Sequence, residues 1–254
     1  MKKVIHTRKN DYSKYSFTKK EILLYLAESM ALCWLINHLF YQSVWAYLFL
    51  LPVPFLFFQW KRKQKIAERK RVLHYQFKDA LASLCVAVQA GYSMENAVSA
   101  CARDMEKLYG QGEDIVIELH YMETQLKVSV PLEQLFTDLG TRSGIEDVEN
   151  FAVIFASAKR TGGNLSSILQ KTSHMMGDKI EVTKEIQATL ASKKSEQMIM
   201  SAMPFVILGY MQITSPGFLQ VLYGNTFGAA AMTVCLVIYF FAYWMGQKIV
   251  NIEV

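Results

Sequence analysis

The run Ile22–Trp60, ILLYLAESMALCWLINHLFYQSVWAYLFLLPVPFLFFQW, is almost continuously apolar, its main interruptions being Glu28, Asn37, His38, Gln42 and Gln59. As one helix it would extend about 58 Å, roughly twice a hydrocarbon core of about 30 Å. Two spans joined near His38–Ser43 fit a bilayer better, and Pro52 and Pro54 are expected to kink the second, which membrane helices tolerate. The flanking charges agree. Residues 1–20 carry seven Lys/Arg against Asp11, and residues 61–71 carry seven more against Glu68, while the proposed turn carries none. Basic flanks belong on the cytoplasmic side of a membrane. A secretory leader is a poor alternative, because the apolar run is too long and a second basic block follows it.

The C-terminal end repeats the pattern. Met198–Thr214 and Thr226–Gly246 are apolar, and Ser215–Asn225 between them holds no charge but contains the helix breakers Pro216, Gly217 and Gly224. Lys193, Lys194 and Lys248 lie on the other side. The expected layout is a basic cytoplasmic N-terminus (1–20), a transmembrane hairpin (21–60), a cytoplasmic section (61–197), a second transmembrane hairpin (198–247) and a cytoplasmic tail (248–254). Glu28 lies within the first span near its start, so a shallow or ion-paired position is expected.

Composition narrows the class. Of 254 residues, 52% are apolar and 19% charged, which excludes disordered, collagen-like and disulfide-scaffold chains. The four cysteines show no CxxC or Cys/His spacing, so they are expected to be reduced thiols, mostly buried. Residues 72–197 hold 12 Lys/Arg against 17 Asp/Glu, so the basic charge flanks the apolar runs and covers no domain face. Nucleic acid is therefore not an expected partner.

The section between the hairpins has a single proline, Pro131, and helical periodicity throughout. Leu73, Phe77, Leu81, Leu84 and Val88 share one helix face. Further helices are expected over about 94–108, 114–127, 131–139 and 146–160. A long last helix begins at Leu165 and is able to run on toward the third span. The fold class is thus an all-α membrane protein, an antiparallel bundle of about six helices flanked by two transmembrane hairpins. Sequence marks the breaks. Gly91-Tyr92-Ser93 stops one helix and offers Ser93 as the next N-cap, and Pro131 opens another. Gly162-Gly163-Asn164 repeats the device with Asn164 as N-cap. Ala90–Val98 and Thr161–Leu169 therefore read as variants of one helix-to-helix turn.

Catalytic and cofactor signatures are missing from the sequence. There is no GxxxxGK[ST] loop, and the Gly162-Gly163 pair, although flanked by Lys159 and Arg160, lacks the phosphate-loop lysine. The five histidines form no HxxxH or HExxH pair, and no GxSxG elbow occurs. No enzyme, cofactor or metal role is expected. The acidic Glu146, Asp147 and Glu149 read as a solvated helix start.

Phe77–Ile199 resembles the type II secretion F domain of inner-membrane platform proteins. The residues that carry the likeness are Phe77–Leu81 with Ala90-Gly91-Tyr92-Ser93-Met94, then Val130-Pro131-Leu132-Glu133-Gln134-Leu135, then Phe151 through Lys159-Arg160-Thr161-Gly162-Gly163-Asn164-Leu165. Ser129 departs from the pattern, standing where many relatives have glycine. One such domain between two hairpins is similar to the tight-adherence (Tad/Flp) pilus platform proteins of the TadB/TadC kind. The resemblance implies a non-catalytic scaffold in the cytoplasmic membrane that couples a cytoplasmic secretion ATPase to pilin assembly. It also implies a like or paralogous platform subunit, pilin subunits and membrane lipid as partners. The turns at Gly91–Ser93 and Lys159–Asn164 are the expected partner-facing positions. A small transporter or channel with a regulatory bundle is the alternative of another class, and a membrane-tethered enzyme the third.

Overall fold

The computed structural model describes residues 11–12, 17–41, 52–215, 217 and 226–250. Among the described residues eight α-helices follow one another: α1 Lys19–Ile36, α2 Pro52–Gln89, α3 Met94–Tyr109, α4 Asp114–Lys127, α5 Leu132–Ser143, α6 Glu146–Thr161, α7 Leu165–Thr214 and α8 Thr226–Val250. Among the described residues there is no strand. They fall into two compact units. One comprises Arg62–Val182 with the N-terminal stretch Met1–Ser16, of which Asp11 and Tyr12 are described; the other comprises Phe17–Lys61 with Thr183–Val254.

The first unit is an antiparallel helical bundle around one apolar core. Leu73, Phe77, Ala80, Leu81 and Leu84 of α2 are buried, the face that the sequence periodicity marks. Phe77, Phe136, Phe151 and Phe155 meet in the middle in mostly edge-to-face contacts, with Phe136 and Phe151 centroids 5.0 Å apart. Such pairs add about 0.5–1.5 kcal/mol each beyond area burial. Cross-helix contacts fix the directions. Ser83 bonds Asp104 while Tyr109 donates to Asp79, so α2 and α3 run antiparallel. Cys85 reaches the Ser166 carbonyl and Ser173 the Lys78 carbonyl, so α2 and the start of α7 do too. At Gly140 a Cβ would sit 2.9 Å from Glu149 Cα, so α5 and α6 cross with backbones nearly touching.

Among the described residues of this unit, the buried charge is paired. Glu118, 2% exposed, accepts two bonds from the Arg142 guanidinium at 2.8 and 2.7 Å. These bonds raise the Arg142 pKa further, so the cation is permanent. Asp138 also binds Arg142 Nε at 2.8 Å.

In the second unit α7 and α8 pair, with Tyr239 Oη donating to the Ser201 carbonyl at 2.9 Å and its ring edge-to-face with Phe205. Ile36, Leu39 and Phe40 pack against Met232, Phe205 and Leu236. Among the described residues three helices are long and apolar enough to cross a membrane: Lys19–Phe40, α7 and Ala230–Ile249. The most apolar window of α7 buries none of its residues within the protein, so its side chains meet the surroundings, as lipid-facing residues do. The chain is an all-α membrane protein.

The expected turn at His38–Ser43 begins differently. Asn37–Tyr41 continues α1 as a π-helical turn, with Trp34 and His38 stacked at 5.2 Å, so His38–Tyr41 is still helical. Gln42–Leu51, which includes the first part of the expected second span, and the breakers Pro216 and Gly224 lie outside the described residues. The expected kink at Pro52 and Pro54 falls at the edge of what is described. Glu28 lies 3.7 Å from Lys61, whose ammonium also sits over the Tyr25 and Phe57 rings. Cys33, Cys85 and Cys101 are buried and Cys235 is exposed, all four as free thiols.

Candidate functional site

Three of the bundle's turns share one construction. At the end of α2, Gly91 takes a left-handed φ of 88°, its N–H donating to the Val88 carbonyl and that of Tyr92 to Ala87. This is a Schellman termination, and it leaves Ser93 Oγ to accept from Asn96 N–H at the start of α3. At the end of α6, Gly162 has φ 71° and Gly163 N–H returns to the Ala158 carbonyl at 2.8 Å. Asn164 Oδ1 then accepts from Ser167 N–H at 3.1 Å, capping α7, and Thr161 Oγ1 donates back to the Ser157 carbonyl.

The third turn ends α4. Ser129 N–H donates to Leu126 and Val130 N–H to Gln125, the same Schellman pair, and Ser129 has φ 64°. It is the one positive-φ residue other than glycine among the described residues. The serine that departs from the family pattern therefore occupies a position whose backbone favours glycine. Pro131 then stands at the N-cap of α5, where its missing N–H costs nothing.

Because neighbouring helices alternate in direction, these three turns finish at one end of the bundle, opposite the end where Arg62 enters and Val182 leaves. One ion pair ties two of them: Lys159 Nζ lies 2.7 Å from Glu133 Oε2, joining the end of α6 to the start of α5. The Lys159 hydrogen bond holds the Glu133 carboxyl below its ordinary range. Gly91, Tyr92, Ser93, Pro131, Lys159, Arg160, Thr161, Gly162, Gly163 and Asn164 are all exposed. Tyr92 and Val128 leave 52% and 67% of their surface open beside them. The surface offers aromatic, apolar and basic groups on rigid turns, the composition of a protein-docking patch. The α7 N-terminus is capped by the chain's own Asn164, which takes a donor that an anion would use. Among the described residues no group of three or more His, Cys, Asp or Glu could hold a metal ion.

Sequence reasoning missed Glu133 as the partner of Lys159 and missed the buried Tyr12–Glu118–Arg142 contacts altogether. The motif that contains Glu133 was the available signal for the first. The second had no local signal.

The fold defines the class: an all-helical membrane protein with its motif turns gathered at one end of a helical bundle. A sequence profile of the family described as type II secretion system (T2SS), protein F, matches residues 80–213, and the chain belongs to that family. Its members are typically non-catalytic membrane platform components of secretion and pilus systems, and the three apolar helices agree with an inner-membrane location. No curated protein and no solved structure matches the chain.

Proposed function

We propose that this chain is the inner-membrane platform of a Tad/Flp-like type IV pilus or a related secretion machine. It couples a cytoplasmic secretion ATPase to the lifting of pilin subunits out of the bilayer. In this reading the protein is multi-pass, both termini and residues 61–197 are cytoplasmic, and a second, identical or paralogous platform subunit completes the assembly. The single observation that carries the proposal is the convergence of the three family-motif turns on one exposed bundle end. Such an end supports docking by a motor: its turns are held by main-chain bonds, so a push on them moves helices rather than bending loops. The helix α7, 50 residues long, begins at one of these turns and carries an apolar span-length segment, which supports its use as a transmission element.

Charge reversal at Arg160 tests the reading. Arg160→Glu is expected to abolish piliation and co-purification of the ATPase while leaving membrane insertion intact. Normal piliation and undiminished ATPase association would dismiss it.

A further inference from the structure

Glu28 of α1 and Lys61 of α2 oppose each other at 3.7 Å, an ion pair too long for a hydrogen bond. The pair is open, with 48% of the Glu28 side chain and 23% of the Lys61 side chain exposed. Among the described residues no hydrogen bond reaches the carboxylate or the ammonium, so both keep unused bonding capacity. Aromatic rings surround the cation: the Tyr25, Phe57 and Trp60 centroids lie 5.3, 5.2 and 5.8 Å from Lys61 Nζ. Phe17, Tyr25 and Phe58 meet edge-to-face, Phe17 and Tyr25 at 5.7 Å, which makes this wall rigid. Tyr and Trp collect where hydrocarbon gives way to headgroups, and a lysine stem reaches to the same level. Leu32 and Leu56, about a turn deeper on either helix, are exposed apolar side chains. Lys248, 5.5 Å from the Trp244 ring on α8, is the plain form of such an anchor, with no carboxylate beside it among the described residues. Lys61 differs from it by Glu28.

We propose that the Glu28–Lys61 pair is a binding site for a zwitterionic phospholipid headgroup with a primary ammonium, the phosphoethanolamine group. Glu28 accepts from the lipid ammonium while Lys61 donates to the lipid phosphate. Both bonds are charge-assisted and the surroundings hold little water, where such bonds are strongest. The ligand thereby completes a carboxylate that is costly at the edge of a span. Other headgroups fit one half only. An anionic lipid without an amine satisfies Lys61 but sets its phosphate against Glu28, and a choline headgroup has no N–H to give the carboxylate. The inference rests on the membrane assignment and on α1 and α2 alone, so it is independent of the motor-docking proposal.

Native mass spectrometry of the full chain tests the site, with phosphatidylethanolamine, phosphatidylglycerol or phosphatidylcholine added at equal concentration in detergent. The unsubstituted chain is expected to retain phosphatidylethanolamine about tenfold more strongly than either competitor. Glu28→Gln is expected to abolish that preference, and Lys61→Gln to lower phosphatidylethanolamine retention by a similar factor. Lys248→Gln leaves the site intact and is expected to bind as the unsubstituted chain does. Helical circular dichroism of each variant reports its folding, and the three-lipid comparison on the unsubstituted chain decides even where a variant fails to fold. Equal retention of the three lipids, tighter retention of phosphatidylglycerol, or an undiminished preference in folded Glu28→Gln would each overturn the proposal.

Discussion

Replacing Gly140 by alanine sets two effects of opposite sign against each other, and the structure states which wins. Alanine in a helix interior is more favourable than glycine by about 0.8–1 kcal/mol. Against this, the new Cβ would sit 2.9 Å from Glu149 Cα and 3.3 Å from Glu149 N, both backbone atoms that no rotamer change can move. Forcing α5 and α6 apart costs about 1–3 kcal/mol, with the Phe136–Phe151 contact disturbed next to it. The expected net is a destabilisation of up to about 2 kcal/mol. Gly177→Ala is the control, since its Cβ would meet only the flexible Lys78 Cε at an ordinary 3.6 Å. The control is expected to stabilise by about 0.5–1 kcal/mol. Urea titration of the full chain, with bundle opening read by pulse alkylation of Cys101, measures both. A Gly140→Ala variant as stable as Gly177→Ala would refute the close crossing.

Other positions carry further expectations. Ser129→Gly relieves a left-handed serine and is expected to raise stability by about 0.5–1 kcal/mol in the same titration, the cost of αL offsetting glycine's entropy. Arg142→Met strands Glu118 in the core and is expected to cost about 3–5 kcal/mol, with Arg142→Met/Glu118→Leu recovering most of it; a mild single variant would contradict the buried pair. Burial pushes the Cys101 thiol up to about 12, so it is expected to resist alkylation at pH 8 in the folded protein and to react once the bundle unfolds. The sign for stability follows: the unfolded thiol ionises first, near about 8.5, so the Cys101 contribution is full below that pH and is lost as pH rises toward 12. Cys101→Ser is expected to remove that part of the alkaline loss in urea midpoints measured across pH 8–11.

The helices of the bundle were legible because their signals are local. The pairs Gly91/Ser93 and Gly162/Asn164 each put a left-handed stop and an N-cap within three residues, and the Phe77–Leu84 face repeats at helical spacing. The expected fourth helix ends short of the observed one, at 139 against Ser143; Gly140 lies inside the helix as a close-packing position. What stayed hidden depends on residues far apart along the chain. Tyr12 sits in a basic, polar stretch with no periodicity, and its acceptor is 106 residues away. Glu118 looks like one more polar helix residue until Arg142 is folded against it. The motif turns were readable as candidate positions, but their shared location at one bundle end needed the helix directions. The structure also replaced the start of the expected turn at His38 with a π-helical continuation, for which Asn37 and His38 gave no periodic signal.

Photo-crosslinking in intact cells puts the platform reading to its most direct test. A crosslinking amino acid placed at Tyr92 or Arg160, on the motif turns, is expected to capture the secretion ATPase, identified by mass. The same group at Gln111 or Asn150, toward the opposite end of the bundle, is expected to capture none. Capture from Gln111 or Asn150 with none from Tyr92 and Arg160 would contradict the account.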